Sequence, residues 1–430
     1  MRVAFIVGHF PRLSETFILN QAIGLLDRGH QVDIFSEYDG DWNHVHPDIK
    51  RYRLRLHTYP LHPVPQNYLW RLIVGCWLFL TRFPQAPLLL LRSLNPFDHG
   101  LYAVGLWLLY GAVSLVDRGC IHYDIVHCQF GTQGHRGWFL QRLMSPHTKL
   151  IVMFRGHDIS SYVQEKGSQV YNDLFRAADL CLTNCNFFRQ RLIDMGCPSE
   201  KTAVHYSGLD VAKFTYQPRQ LTVGETVHLV TTGRLVEKKG IEYAIRAVAQ
   251  QIASFPQITY SIIGDGPLKQ ELEALIRDLK AESHIQLLGW KNEAEIIATL
   301  DTCHIFIAPS VTAADGNQDA PVNVLKEAMA MGLPVISTLH GGIPELVQDG
   351  VSGYLVPERD VQALSERLAQ LLSEPERWAE MGRAGRAYIE QHFDLQRLND
   401  RLVVRYQELV GTQAPPASPL PLPDALISQS

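Results

Sequence analysis

From Arg2 onward, short runs of β-branched and aliphatic residues alternate with amphipathic stretches of helical length. That alternation is the sequence form of repeated strand–helix units on a parallel sheet, so an α/β protein is expected. Strands are predicted at 2–7, 31–36, 125–130, 149–155, 179–184 and 202–206. The first leads through GHFPRLS into a helix that Ser14 would cap and Gly29 would end. After a polar stretch with Pro and Gly at 216–225 the pattern restarts, with strands at 227–233, 259–264, 285–289, 303–309 and 334–338. Helices are predicted between them at about 240–254, 267–281 and 321–331. This divides the chain into a first domain over 1–215 and a second over 226–393. Open α/β sheets bind ligands at the carboxyl ends of their strands, which singles out the loops after 233, 264, 309 and 338.

Two regions break the rhythm. Residues 68–116 are dense in Leu, Trp and Tyr, and Leu101 to Val116 carries no charge, yet that run is shorter than the roughly 20 residues a membrane span needs. Three readings stay open: a span, a buried helical insertion, or a membrane-facing or lipid-acceptor surface, the last because Trp70, Arg71, Trp77 and Arg82 suit an interface. From Gly411 the chain reads QAPPASPLPLPD without apolar period, so a disordered tail over 411–430 is expected.

Composition narrows the function. A length of 430 residues with 46% hydrophobic residues can bury two cores, and a net charge of −5 offers no basic field for nucleic acid. The seven cysteines form no CxxC pair, so a reducing, cytoplasmic setting fits better than a zinc ribbon or disulfide framework. MRVAFIVGHF reads as a first buried strand, since its apolar run is too short for a signal peptide. Asp39-Gly40-Asp41 matches a three-residue metal pattern, but such a pattern arises easily by chance and no metal site is assigned.

The chemistry concentrates in the second block. TTGRLVEKKG places Arg234, Lys238 and Lys239 at a strand's carboxyl end, where Arg234 and Lys239 would balance a diphosphate; a solvated basic turn is the alternative. In the segment after 303–309, Pro321 suits a first helical position, and free amides around Asn323, Val324 and Leu325 would favour a phosphate. Asp319 and Glu327 lie eight positions apart, about two turns if helical geometry continues, so both would face one ligand. The alternatives are an N-terminal cap for Asp319 and a surface pair with Lys326 for Glu327.

These residues give the chain a resemblance to the family-four retaining glycosyltransferases. It rests on Gly233-Arg234-Leu235 with Lys239-Gly240, Gly264-Asp265-Gly266-Pro267, the acid-x7-acid segment ending in Lys326-Glu327-Ala328-Met329-Ala330, and Gly341-Gly342-Ile343-Pro344-Glu345, and it runs through most of 1–400. HFPRLSETFILNQ, DIVHCQFG, FRGHDIS and YSGLD resemble the subgroup that builds exopolysaccharides such as colanic acid. The resemblance implies a GT-B fold, two Rossmann-like doubly wound domains facing a cleft, with a helix at 394–410 crossing back to the first. It further implies a nucleotide diphosphate sugar as co-substrate, with no cofactor required, and a glycan or lipid-linked acceptor. Arg234 and Lys239 would neutralise the diphosphate, Glu327 would hold the ribose and Asp319 would meet the hexose, with Gly233, Gly264 and Gly266 lining the nucleotide.

Two departures stand out. The family's usual Glu is Asp319 here, one methylene shorter, and its His-Gly-x-Asp is Arg155-Gly156-His157-Asp158. Arg155, His157, Asp158 and His127 are the candidates on the acceptor or sugar side, with a satisfied core histidine as the other reading of His127, and Glu345 either contacts a ligand or only shapes its turn. Other functional readings are a nucleotide-sugar epimerase or phosphorylase-like enzyme, and a non-catalytic scaffold. A cytoplasmic setting is expected, with peripheral contact at the inner face of the cell membrane if the 68–116 surface is the one that meets lipid.

Overall fold

The computed structural model describes residues 1–12, 15–43 and 45–411. Two sheets of parallel strands organise them. The first contains β1 (Arg2–Phe10), β2 (Gln31–Asp39), β3 (Thr58–Pro60), β4 (Ile125–Cys128), β5 (Lys149–Phe154), β6 (Leu180–Thr183) and β7 (Thr202–Val204), in the order β3-β2-β1-β4-β5-β6-β7. The second contains β8 (Val227–Thr232), β9 (Ile258–Ile263), β10 (Ile285–Gly289), β11 (Ile305–Ala308), β12 (Val335–Thr338) and β13 (Gly353–Val356), in the order β10-β9-β8-β11-β12-β13. Each order reverses beside its first strand, between β1 and β4 and between β8 and β11. Those switch points open a crevice at the strands' carboxyl ends. Central strands such as β4, β6 and β11 are buried at every position, as sheets covered on both faces require.

The pattern of apolar runs locates eleven of these strands and misses two. Thr58–Pro60 is a three-residue edge strand ending in Pro, and Gly353–Val356 follows a glycine turn, so neither has enough period to read. The helix predicted from Pro321 begins at Asn323, with Val322 extended as its N-cap. Gly29, at φ 77°, closes the helix Thr16–Asp27, whereas Ser14 and the stretch 412–430 lie outside the described residues.

The 68–116 region resolves into helices Tyr68–Arg82, Pro87–Ser93, Pro96–His99, Leu101–Val104 and Trp107–Asp117. Among the described residues, no helix is long and apolar enough to cross a membrane. Trp107–Asp117 is buried through Leu108, Leu109, Ala112, Val113 and Val116, so the later part of the uncharged run is core, whereas Leu101 and Val104 at its start are exposed. The preceding helices instead leave large apolar side chains in solvent.

The two halves are tied at several points. Leu209 pairs with the 393–395 backbone, donating its N–H to Phe393 O at 2.8 Å and accepting from Leu395 N at 2.9 Å. Helix Leu395–Val410 then lies on Thr16–Asp27, where a side chain at Gly24 would collide with Asn399, 2.0 Å from the added carbon. Arg28 holds Asp400 at 2.7 Å across the same contact.

Candidate active site

The crevice of the second sheet assembles around one carboxylate. Gly240, at φ 59°, folds the Glu237–Lys239 turn so close to β11 that an added Cβ would lie 2.0 Å from Pro309 O; any other residue would push the lysines away. Lys239 Nζ then reaches Asp319 Oδ2 at 2.7 Å and Lys238 Nζ reaches Oδ1 at 3.0 Å. Ser310 Oγ donates to the same Oδ2 at 3.1 Å. Burial resists the charge on Asp319, but Lys239 and Lys238 outweigh it and hold the carboxyl well below the usual carboxylate range. Arg234 is exposed at the rim, and among the described residues its guanidinium makes no hydrogen bond or ion pair.

Asp319 lies in the 309–322 loop, not on the helix, so the two-turn spacing with Glu327 does not arise from helical geometry. Its place is set by its backbone. The Asp319 N–H donates to His340 Nε2 at 2.9 Å, which leaves the His340 proton on Nδ1, bonded to Glu358 Oε1 at 2.5 Å. Glu358 also accepts from Thr312 N at 2.7 Å and so anchors both ends of the loop. Gly341, at φ 51°, lets the next turn pack on this loop, since an added Cβ would sit 2.1 Å from Asp319 O.

Helix Asn323–Ala330 points its first turn toward the crevice. Leu325 donates its N–H to Val322 O at 3.2 Å and is buried in the core, so the amides of Asn323 and Val324 are the ones left facing outward. Glu327, one turn on, is half-buried and makes no hydrogen bond among the described residues, and burial with the nearby Glu293 raises its pKa to about 7. It does not pair with Lys326. That lysine is fully buried, donates to Ser207 O at 2.8 Å and Asn323 Oδ1 at 3.0 Å, and burial lowers its pKa to about 7. Gly233 leads out of β8 into this region. Gly264 and Gly266 serve the backbone packing beneath it, because side chains there would meet Gly233 O at 1.8 Å and Leu235 O at 2.5 Å.

From the first sheet, the loop after β5 comes up opposite Asp319: the position of a Gly156 Cβ is 3.6 Å from Gln318 O, and Arg191 donates to Gln318 Oε1 at 2.7 Å. Arg155 is buried, bonded to Ser207 Oγ at 3.0 Å and Gln129 Oε1 at 3.2 Å, with Nε unpartnered among the described residues; burial lowers its pKa to about 9. Asp158 staples two loops, accepting from Arg155 N at 2.7 Å and Gly131 N at 2.8 Å, so both its oxygens are engaged by backbone. His157 is exposed and meets Ser161 Oγ at 2.7 Å. His127 is fully buried, 2.6 Å from Tyr406 Oη, and burial holds its pKa well below the ordinary value; it occupies the contact with helix Leu395–Val410.

Three participants escape the sequence reading as site residues, Ser310 beside the carboxylate and the His340–Glu358 pair behind its loop, and Lys238, which the sequence places at the strand end, gains its role only through Asp319. Glu345, left open between ligand and turn, spans the halves. It accepts from Asn186 N and Phe187 N, both at 2.8 Å, and from Tyr206 Oη at 3.0 Å, capping helix Asn186–Asp194 from the opposite side of the crevice. Asp39-Gly40-Asp41 is a packed turn, where a Gly40 Cβ would lie 1.8 Å from Pro11 O.

This architecture has counterparts among known proteins. Residues 14–213 match the model for Glycosyltransferase Family 4 and residues 214–388 that for Glycosyl transferases group 1. The putative colanic acid biosynthesis glycosyltransferase WcaL of Salmonella typhimurium is 37% identical over 371 residues, 86% of this chain and 90% of the relative. The amylovoran biosynthesis glycosyltransferase AmsK of Erwinia amylovora is 34% identical over 400 residues, 92% and 96% of the two chains. Among solved structures, Anabaena HepE in complex with UDP superposes with a TM-score of 0.69 at 21% identity, covering 95% of this chain and all of HepE, 100%. Sucrose-phosphate synthase from Thermosynechococcus elongatus gives 0.70 at 18% identity, covering 96% and 99%. Two facing parallel sheets with switch-point sites, matched over most of the chain by the two family models and these relatives, make the chain a GT-B glycosyltransferase of family four.

Proposed function

We propose that this enzyme moves a hexosyl group, with retention of configuration, from a nucleoside diphosphate sugar to a hydroxyl of a glycan or lipid-linked acceptor during synthesis of an exopolysaccharide or other surface glycan. The observation that carries the reading is the cluster at the β8–β11 switch point: two lysines on one buried carboxylate, with a free arginine at the rim. The names of WcaL and AmsK support the exopolysaccharide setting, and HepE, solved with UDP and UDP-glucose, supports a sugar nucleotide as donor.

In this reading Arg234 and Lys239 meet the diphosphate, so the charge that develops on the leaving group is neutralised by side chains and needs no divalent ion. The amides of Asn323 and Val324 add the helix N-terminus. Glu327 accepts from the ribose, and Asp319, released by Lys239, accepts from hexose hydroxyls. The bond from the anomeric carbon to the diphosphate breaks while the acceptor oxygen bonds on the same face, and the acceptor proton passes to the departing phosphate. In the same reading Arg155 and His157, on the facing half, serve the acceptor side, and closure of the halves excludes water. The enzyme works in the cytoplasm, peripherally at the inner face of the cell membrane.

The test is a thermal-shift panel with UDP, GDP, ADP and their sugar conjugates, because a ligand that binds the native state raises its stability. A selective shift, lost in Lys239→Ala, is expected. No shift with any nucleotide overturns the reading.

A further inference from the structure

The helix Tyr68–Arg82 is apolar on two opposite sides. Val74, Leu78 and Phe79 face inward against Trp107–Asp117, while Leu69, Leu72, Ile73, Trp77 and Leu80 face out, with exposures from 41% to 71%. Leu88, Phe97 and Leu101 extend the outer surface at 82% to 97% exposure. Soluble monomers leave such residues exposed singly, and a contiguous run of them marks a partner.

Beside this surface lies an open cavity of about 470 Å³, within the usual range for small-molecule sites. Its wall is mostly apolar, built by Ala86, Leu89, Leu115, Ile121 and Met144, with Gln85 and His122 also on the lining and the exposed Leu88 and Arg92 at its rim. Ile121 precedes β4 and Met144 precedes β5, so the cavity opens at the amino ends of the strands, opposite the crevice that holds Asp319.

We infer that this cavity and the outer face of the 68–104 helices form a lipid-anchoring site, which takes one acyl chain of an anionic phospholipid while the helices dip into the leaflet. It deepens the peripheral membrane location proposed above and rests on that reading. The occupant follows from chemistry. Residues 68–104 contain three arginines and one aspartate, a net positive charge in a chain of net −5, and Arg92, at the rim, makes no ion pair among the described residues. An apolar chamber with a cation at its mouth suits a chain joined to a phosphate. The outer face of Tyr68–Arg82 offers few polar groups to register a protein partner: the Thr81 hydroxyl turns back to Trp77 O at 2.9 Å, and the exposed indole N–H of Trp77 is a donor that also suits a membrane interface. A bilayer requires no such register. Because the cavity faces away from the crevice, its lipid is an anchor and not the acceptor.

The test uses the full-length chain and flotation with phosphatidylcholine vesicles, with and without phosphatidylglycerol, at low salt. Binding to the anionic vesicles is expected, weakened roughly tenfold or more by the double variant Trp77→Glu, Leu80→Glu and reduced toward the neutral-vesicle level by Arg92→Ala. Native mass spectrometry should show one phosphatidylglycerol per chain, lost in Leu89→Trp. The nucleotide thermal shift of each variant, expected unchanged, shows that it is folded and separates failure of anchoring from failure of the donor site. Overturning results are a wild type that ignores anionic vesicles, a double variant that binds as well as wild type, or light scattering that shows this face pairing two copies.

Discussion

Replacing Asp319 by Asn should move nucleotide affinity and turnover in opposite directions. In the free protein the Asp319 side chain is 10% exposed and holds both lysines, at 2.7 and 3.0 Å. A diphosphate arriving at β8 must draw Lys239 off this carboxylate. A hydrogen bond between charged groups contributes about 1.5–3 kcal/mol, so donor binding works against a restraint of that order, partly relieved because Lys238 and Ser310 remain on Asp319. Asn keeps the shape and removes the charge. Nucleoside diphosphate binding, read by titration calorimetry, should tighten by about 1.4 kcal/mol, or about tenfold. Transfer should fall about a hundredfold, since a neutral amide no longer orients the sugar hydroxyls.

The variant should also lose about 2 kcal/mol of stability, less than for a fully enclosed pair because the lysine tips reach solvent. The wild-type carboxyl is depressed from 3.8, so its contribution is complete above that value and is lost only as pH falls through the folded-state value. Between about pH 5 and 8 the stability difference should therefore be flat. Weaker diphosphate binding in Asp319→Asn, alongside lower turnover, would refute the reasoning: Asp319 would then be organising the lysines for phosphate and not withholding them.

Glu327 carries the opposite sign. Its pKa is raised from 4.5 to about 7, so its contribution to stability should decline as pH rises across that window, and the stability of wild type relative to Glu327→Gln should fall by about 2 kcal/mol between those pH values in urea unfolding. Glu327→Ala and Lys239→Ala should each cut turnover at least about tenfold in steady-state kinetics, about 1.4 kcal/mol of transition-state stabilisation. His340→Ala should lower kcat about tenfold while nucleotide affinity changes little, because it loosens the Asp319 backbone and leaves Arg234 in place. Glu345→Gln should cost about 1–2 kcal/mol and raise hydrogen exchange in helix Asn186–Asp194, which loses its charged cap from across the crevice.

Much of the architecture is legible along the chain because burial on both faces of a parallel sheet forces continuous apolar strands such as Val3–Val7 and Ile305–Ala308. The same local logic places Lys239 and Asp319 in loops at strand ends, and motif resemblance names the family. Short edges without period, Thr58–Pro60 and Gly353–Val356, leave no such trace. The 68–116 stretch shows the limit clearly. Composition marks it as apolar, but only packing against the sheet distinguishes Leu108 and Val113, which are core, from Trp77 and Leu80, which are open to solvent.

The contacts that organise the site join residues far apart in the chain. Lys239 and Asp319 are 80 positions apart, Glu345 and Asn186 are 159, and His127 and Tyr406 are 279. The sequence by itself determines the α/β class, the strand ends and the charge types available, because these follow from local periodicity and residue chemistry. Tertiary structure alone decides that two lysines share one carboxylate, that His340 holds its backbone, and that His127 belongs to a helix contact. Those outcomes depend on which loops the sheet order brings together and on which polar groups lose water there, and neither is a property of a neighbouring stretch of chain.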